Sequence, residues 1–243
     1  MSYVLLIGAK SDIAKEVARE YAKNGYNIYL AGRNIKDIKG LANDIEVRSN
    51  VEVQLKELDI TAFDTHQSFY DNLKEKPLGT IVVSGYMADQ KLCEENWAES
   101  LNTINVNYTG AVSILNIIAI DLEKEKRGFI VGVSSVAGDR GRKTNYIYGS
   151  SKAAFTTYLS GLRNRLFESN IHVLTVKPGF VATKMTEKLE LSTKLTAQSE
   201  DVASDIFNAQ QKGKNVLYTK PIWQLIMLII KHIPEFIFKK MSI

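Results

Sequence analysis

Cysteine is nearly absent from this chain. One thiol, Cys93, occurs in 243 residues, so no internal disulfide can form, and a reducing, cytoplasmic compartment is expected. Histidine is almost as scarce. The three present are scattered, and without a Cys/His cluster no metal site is suggested. A strong excess of one charge is also missing: a net charge of +4 is too mild to imply nucleic acid. No basic block interleaved with aromatics appears. The N-terminal MSYVLLIGAK is too short in apolar residues for a signal peptide and reads as a first strand. Internal repeats and low-complexity linkers are lacking as well. The apolar run at 222–230 is broken by Gln224. It would rise about 13 Å as helix against about 30 Å of bilayer core, so a membrane-crossing helix is not expected.

What remains is an ordinary globular composition, 45% apolar and 24% charged, on a chain long enough for one α/β domain with a substantial core. Short β-rich runs at 3–7, 27–31, 51–56, 79–84, 129–134, 171–177 and 215–218 alternate with helical stretches. The helices are expected at 12–24, 35–47, 62–75, 96–125, 146–168 and 200–212. That alternation predicts a doubly wound parallel sheet of about seven strands covered on both faces. Residues 1–220 form the domain, 221–243 an apolar helical extension of it, and ligands should lie at the carboxyl ends of the strands.

The chemistry is concentrated between Val133 and Lys152. Tyr148 and Lys152 lie four residues apart on a predicted helix, which stacks them on one face. A phenol beside an ammonium has its ionised form favoured, so the Tyr148 pKa is expected to fall from about 10 towards working pH. A tyrosine so tuned can give or take a proton. Ser135, at the end of a strand-like run, is placed to meet the same substrate oxygen. Tyr146, two residues away, cannot share the Tyr148 face and is expected to serve packing or substrate contact.

Ser135, Tyr148 and Lys152, with the turn at 8–14 and the segment at 178–183, resemble the short-chain dehydrogenase/reductase family over about residues 3–220. The resemblance implies a Rossmann-like fold, a homo-oligomer, and a Ser-Tyr-Lys set completed by an Asn. Asn107, in INVNYTG, is the position that carries over, its amide expected to hold a relay water near Lys152. The family's Thr-Gly-x-x-x-Gly-x-Gly turn stands here as Ile7-Gly8-Ala9-Lys10-Ser11-Asp12-Ile13-Ala14. Gly8, Lys10, Ser11, Asp12 and Ile13 thereby become candidate cofactor residues. Ala14 is small enough for close helix–strand packing. Asp12 is the departure, since a carboxylate is unwelcome beside a pyrophosphate, and it is expected to turn away and cap the helix. At the end of the second strand stands Arg33 and no acid. An arginine there suits a 2′-phosphate, which favours NADPH over NADH, and Lys10 can add a second positive charge. Asp59 resembles the family's adenine-contacting Asp but suits a plain helix cap equally well. Gly85, in Val83-Ser84-Gly85-Tyr86, replaces part of the usual Asn-Asn-Ala-Gly. Pro178, Gly179, Val181 and Thr183 match the family's nicotinamide loop, and 184–199 its substrate lid.

The implied activity is NADPH-dependent reduction of a ketone or aldehyde, reversibly an alcohol oxidation. In 221–243, Trp223, Phe236 and Phe238 stand beside Lys231, Lys239 and Lys240. That pattern suits a helix pair lying on a membrane surface; a subunit interface or a lid on the core would use the same apolar face. The membrane reading goes with a lipid-linked keto sugar or long-chain keto lipid as substrate, the other with a small soluble carbonyl. Asp12 and the altered 83–86 segment leave open a non-catalytic NADP-sensing or scaffold protein, although such a protein has no need of a proton donor.

Overall fold

The structure, a computed structural model, describes residues 1–187 and 192–241. Seven strands form one parallel sheet: Tyr3–Ile7 (β1), Asn27–Gly32 (β2), Val53–Glu57 (β3), Gly79–Val82 (β4), Phe129–Val133 (β5), His172–Pro178 (β6) and, after two short strands, Val216–Thr219 (β9). The order is β3-β2-β1-β4-β5-β6-β9. Successive strands run outward from β1 on one side and from β4 on the other. The crevice above that reversal is where such sheets bind ligands. Phe180–Val181 (β7) and Thr196–Ala197 (β8) pair with each other in a separate two-stranded ribbon that pattern reading did not foresee.

The period of two along each strand divides the core. Val4 and Leu6 point to one face, where Asp12–Lys23 (α1), Lys39–Ser49 (α2) and, later in the chain, Ser199–Gln211 (α8) bury Val17, Tyr21, Ile45 and Ile206. Tyr3, Leu5 and Ile7 point to the other, against His66–Asp71 (α3), Gly110–Glu125 (α6) and Tyr146–Leu166 (α7). Between α3 and α6 lie Gln90–Glu95 (α4), a helix not anticipated, and Trp97–Ile104 (α5).

The predicted elements are present with shifted ends. The helix expected from 35 opens as a 3₁₀ turn, Ile35–Ile38, before α2 begins. That expected at 62–75 shrinks to a 3₁₀ turn and α3. The long helix at 96–125 is continuous in path, but Asn105–Thr109 widens into a π turn between α5 and α6. This run is long and apolar enough to cross a bilayer, yet half of its most apolar stretch is buried in the core. The C-terminal extension folds as Ile222–His232 (α9) and Glu235–Phe238 (α10).

Candidate active site

The end of β5 is held to α7 backbone against backbone. A Cβ at Gly138 would lie 2.7 Å from the Ala153 nitrogen, and one at Gly149 2.8 Å from the Ala137 carbonyl oxygen. No side chain fits there, so two glycines let the loop after β5 settle on the helix. The Ser134 hydroxyl donates to the Lys152 carbonyl at 2.9 Å and meets the Thr156 hydroxyl at 2.7 Å, which fixes α7 at the level of Lys152. Ser135 accepts from the Ala137 N–H at 3.1 Å as the cap of a 3₁₀ turn, leaving its own O–H free to donate.

Lys152 is 3% exposed. Its Nζ donates to the Val133 carbonyl at 3.1 Å and to the Ser84 carbonyl at 3.4 Å. Burial pulls its pKa down to about 8. It lies 5.8 Å from the centre of the Tyr148 ring. The expected fall in the Tyr148 pKa does not occur. Burial pushes the phenol up, and only the Ser135 hydroxyl draws it back. The reason is that the ammonium, bonded to main-chain carbonyls and itself desolvated, contributes too little positive field to outweigh the loss of water around the phenol. Tyr146 points elsewhere: its hydroxyl donates to Glu94 of α4 at 2.9 Å.

Asn107, 1% exposed, sits in the π turn. Its Oδ1 accepts from the Tyr86 N–H at 2.9 Å and its Nδ2 donates to the Tyr86 carbonyl at 2.7 Å. It therefore grips both main-chain polar groups of Tyr86, from outside the cleft lining. Gly85 does face the cleft, where a Cβ would stand 3.7 Å from Lys152 Nζ.

At the other end, Gly8 has φ +88° and its absent Cβ would meet the Ser84 nitrogen at 2.7 Å, two reasons that only glycine serves. Ser11 makes no side-chain cap, so N–H groups of the first turn of α1 remain for an anion. Asp12 lines the cleft and does not cap the helix. Its carboxylate accepts from Lys15 Nζ at 2.9 Å and from the Lys184 N–H at 3.0 Å, tying the first turn to the lid segment. Although burial pushes its pKa up, those two bonds hold the carboxyl below its ordinary value. Lys10 pairs with Asp37 at 2.7 Å on the surface. Arg33 lines the cleft, and among the described residues no carboxylate pairs with it. Glu57, at the end of β3, is occupied by the Asn34 and Ile35 N–H groups at 2.6 and 3.1 Å. Asp59 neither caps a helix nor reaches the cleft: it accepts from the Thr61 N–H and hydroxyl at 2.9 and 2.8 Å.

A cleft of about 580 Å³ joins these ends. It brings together Gly8, Lys10, Ser11, Asp12, Ile13, Arg33, Gly85, Ser135, Tyr148, Lys152, Pro178, Gly179, Val181 and Thr183, and leaves Asn107 and Asp59 outside its lining. Thr183 closes a small turn with Thr186, whose hydroxyl donates to the Val181 carbonyl at 2.5 Å. Of the expected lid, Lys184, Met185 and Thr186 line the cleft, while 188–191 lie outside the described residues. Sequence reasoning passed over Arg142 and Asn145, which also line it. Their spacing carries no pattern, and no signal in the sequence singled them out.

The extension packs behind the Gly179 wall of the cleft. Trp223 packs where a Cβ of Gly179 would stand, 1.9 Å from its indole nitrogen, and donates to the Leu195 carbonyl at 3.0 Å. Trp223 and Met227 are buried with Val136. Arg140 ties down the far end: its guanidinium donates to the Ile230 and Ile233 carbonyls at 2.6 Å each and stacks 3.7 Å from the Phe238 ring centre. The part of α9 that faces the domain is thus a lid on the core.

The Gly8 cradle, the open first turn of α1 and Arg33, unpaired among the described residues, fit a dinucleotide carrying phosphate charge, and buried Lys152 with half-buried Tyr148 fits its reacting end. The chain belongs to the short chain dehydrogenase family, whose model matches residues 2–194. It is a nicotinamide-dependent oxidoreductase. An uncharacterized oxidoreductase of Mycobacterium tuberculosis is 30% identical over 241 residues, covering 98% of this chain and 96% of that one. Two solved structures share the fold at low identity. A short-chain dehydrogenase from Sphingobium yanoikuyae in complex with NADPH superposes with a TM-score of 0.83 at 19% identity over 97% of each chain. The bulky-bulky ketone specific alcohol dehydrogenase from Comamonas testosteroni gives 0.81 at 18% identity, over 97% of this chain and 96% of its own.

Proposed function

We propose that this chain reduces a ketone or aldehyde to the alcohol with NADPH. The observation that carries the reading is the convergence of Ser135, Tyr148 and Lys152 on a cleft whose opposite end presents the Gly8 turn and Arg33. When bound, the dinucleotide supplies the hydride. Tyr148, its pKa raised by burial, is fully protonated at neutral pH, the state a donor needs when a carbonyl oxygen gains negative charge. Ser135 directs its free O–H at the same oxygen and stabilises that charge as it develops. Lys152, with two of its three donors on main-chain carbonyls, keeps one for a ribose hydroxyl. Asn107 acts as a positioning residue through the Tyr86 main chain. Arg33 and Lys10 favour the 2′-phosphate, and Pro178, Gly179, Val181 and Thr183 receive the nicotinamide.

Tyr148→Phe should lower kcat by about 10²- to 10⁴-fold while NADPH still binds, as read by fluorescence titration. Turnover near wild type would overturn the assignment, whereas a wild type that binds NADPH and reduces no carbonyl would favour the sensing role.

The outer face of the extension supports a lipid-linked keto sugar or a long-chain keto lipid as substrate. Leu225, Leu228 and Ile229 are 55%, 56% and 59% exposed and Phe236 67%, and Lys231, Lys239 and Lys240 are exposed beside them. Apolar residues rimmed by lysines match an anionic membrane surface. Deleting the segment would strip Trp223 and Met227 from the core, so surface substitution is the cleaner test. Leu228→Glu with Ile229→Glu should abolish co-sedimentation with phosphatidylglycerol vesicles without lowering Tm. A wild type that ignores vesicles and becomes monomeric only on this substitution assigns the face to a second copy of the chain.

A further inference from the structure

Two polar groups at the substrate end of the cleft have no part in the chemistry proposed above. Arg142 lines the cleft from the loop between Ser135 and α7. Its Nε is buried and, among the described residues, has no hydrogen-bond partner. One Nη donates at 3.2 Å to the thioether sulfur of Met227, a weak acceptor for a guanidinium. Asp139, the acid whose field acts on Arg142, is already occupied by Lys177 Nζ at 2.5 Å and by the Tyr218 hydroxyl at 2.8 Å. Three residues on, Asn145 Oδ1 is also buried and unpartnered, although Asn145 stands at the start of α7, where a side-chain cap would be ordinary.

A guanidinium stays charged in a protein even when burial opposes it. A buried guanidinium N–H with no acceptor is costly, and Val136 and Phe180, which line the same cleft, offer it nothing polar through their side chains. The dinucleotide's phosphates are provided for elsewhere, by the Gly8 turn and Arg33 at the ends of β1 and β2. Arg142 instead touches α9, the helix that floors the reacting end.

Resting on the reductase reading, we infer that Arg142 receives an anionic group, a carboxylate or a phosphate, borne by the carbonyl substrate, and that Asn145 accepts from a hydroxyl beside it. The guanidinium's planar fork matches either oxyanion. The substrate class is thereby an acidic keto compound.

The test uses the NADPH-loaded protein, in which the phosphate-binding end is filled, and non-reacting probes: hexyl phosphate, hexanoate, hexanol and inorganic phosphate, by titration calorimetry. Hexyl phosphate or hexanoate should bind about 10- to 100-fold more tightly than hexanol. Arg142→Gln should erase that preference, and Arg142→Lys should keep part of it, which also guards against a variant that misfolds. Hexyl phosphate binding tightly while inorganic phosphate binds weakly assigns an esterified headgroup; equal affinity assigns a free phosphate, and either supports the role of Arg142. Hexanol binding as well as the anions, or an undiminished preference in Arg142→Gln, overturns it. Because the readout is binding, a protein that selects anions through Arg142 yet reduces nothing sinks the reductase reading alone. An active reductase indifferent to Arg142 sinks this inference alone.

Discussion

At the adenosine end of the cleft, Arg33 stands exposed and the Gly8 turn offers backbone N–H groups; at the reacting end, Lys152, Lys177, Trp223 and Met227 are all below a tenth exposed. On the reading proposed above, the first end would receive phosphate charge in water, with groups close together in sequence. The second removes water from around an ammonium and part of a phenol, and for that it draws on β5, α7, β6 and the C-terminal helix. Charge recognition tolerates solvent, whereas a shifted pKa requires its absence. The two ends should accordingly fail differently.

Damage to the buried end should cost most. Lys177 and Asp139 form an ion pair in which the side chains are 9% and 3% exposed. Asp139→Ala would leave an unpaired buried ammonium and an unpartnered Tyr218 hydroxyl, and should lower stability by about 3–5 kcal/mol in urea denaturation. A loss below about 1 kcal/mol would mean that the pair behaves as a surface contact and that the reacting end is wetter than described.

At the exposed end the fold should survive and selectivity should move. Arg33→Asp should shift the NADPH-to-NADH ratio of kcat/KM by about 10- to 100-fold towards NADH with Tm unchanged. An unmoved ratio would remove Arg33 from cofactor choice.

The smallest expected effect sharpens the contrast through pH. Burial lowers the Lys152 pKa from 10.5 to about 8. Between those values the unfolded chain binds a proton that the folded chain does not, so stability of the cofactor-free protein should rise with pH across that window and gain nothing from this group below it. The difference between wild type and Lys152→Met isolates the contribution. An identical slope in the two proteins would show that Lys152 is solvated.

Much of the architecture was legible in order. Alternating β-rich and helical runs marked all seven strands of the main sheet, because parallel strands buried on both faces must be almost wholly apolar. Ser135, Tyr148 and Lys152 were legible as a set, since spacing along a strand end and a helix face is a local property. The helix ends were less so: α2 starts late because Asn34 takes a left-handed conformation, φ 49°, before a 3₁₀ turn. The partner of Asp12, Lys184, is 172 residues away, and nothing near Asp12 announces it. Asn107 stands close to Lys152 across Gly85, but its bonds to the Tyr86 main chain, 21 residues back, carry no signal in the sequence.

The amino-acid order by itself determined the sheet and its winding and singled out Ser135, Tyr148 and Lys152 as a set, because periodicity and spacing act over a few residues. Only the tertiary structure decided how those groups titrate, which face of α9 lies beneath Gly179, and that the Arg142 Nε is buried without a hydrogen-bond partner among the described residues. Each of these depends on how much water is excluded by segments distant in the chain, and desolvation is a property of the packed molecule rather than of any stretch of it.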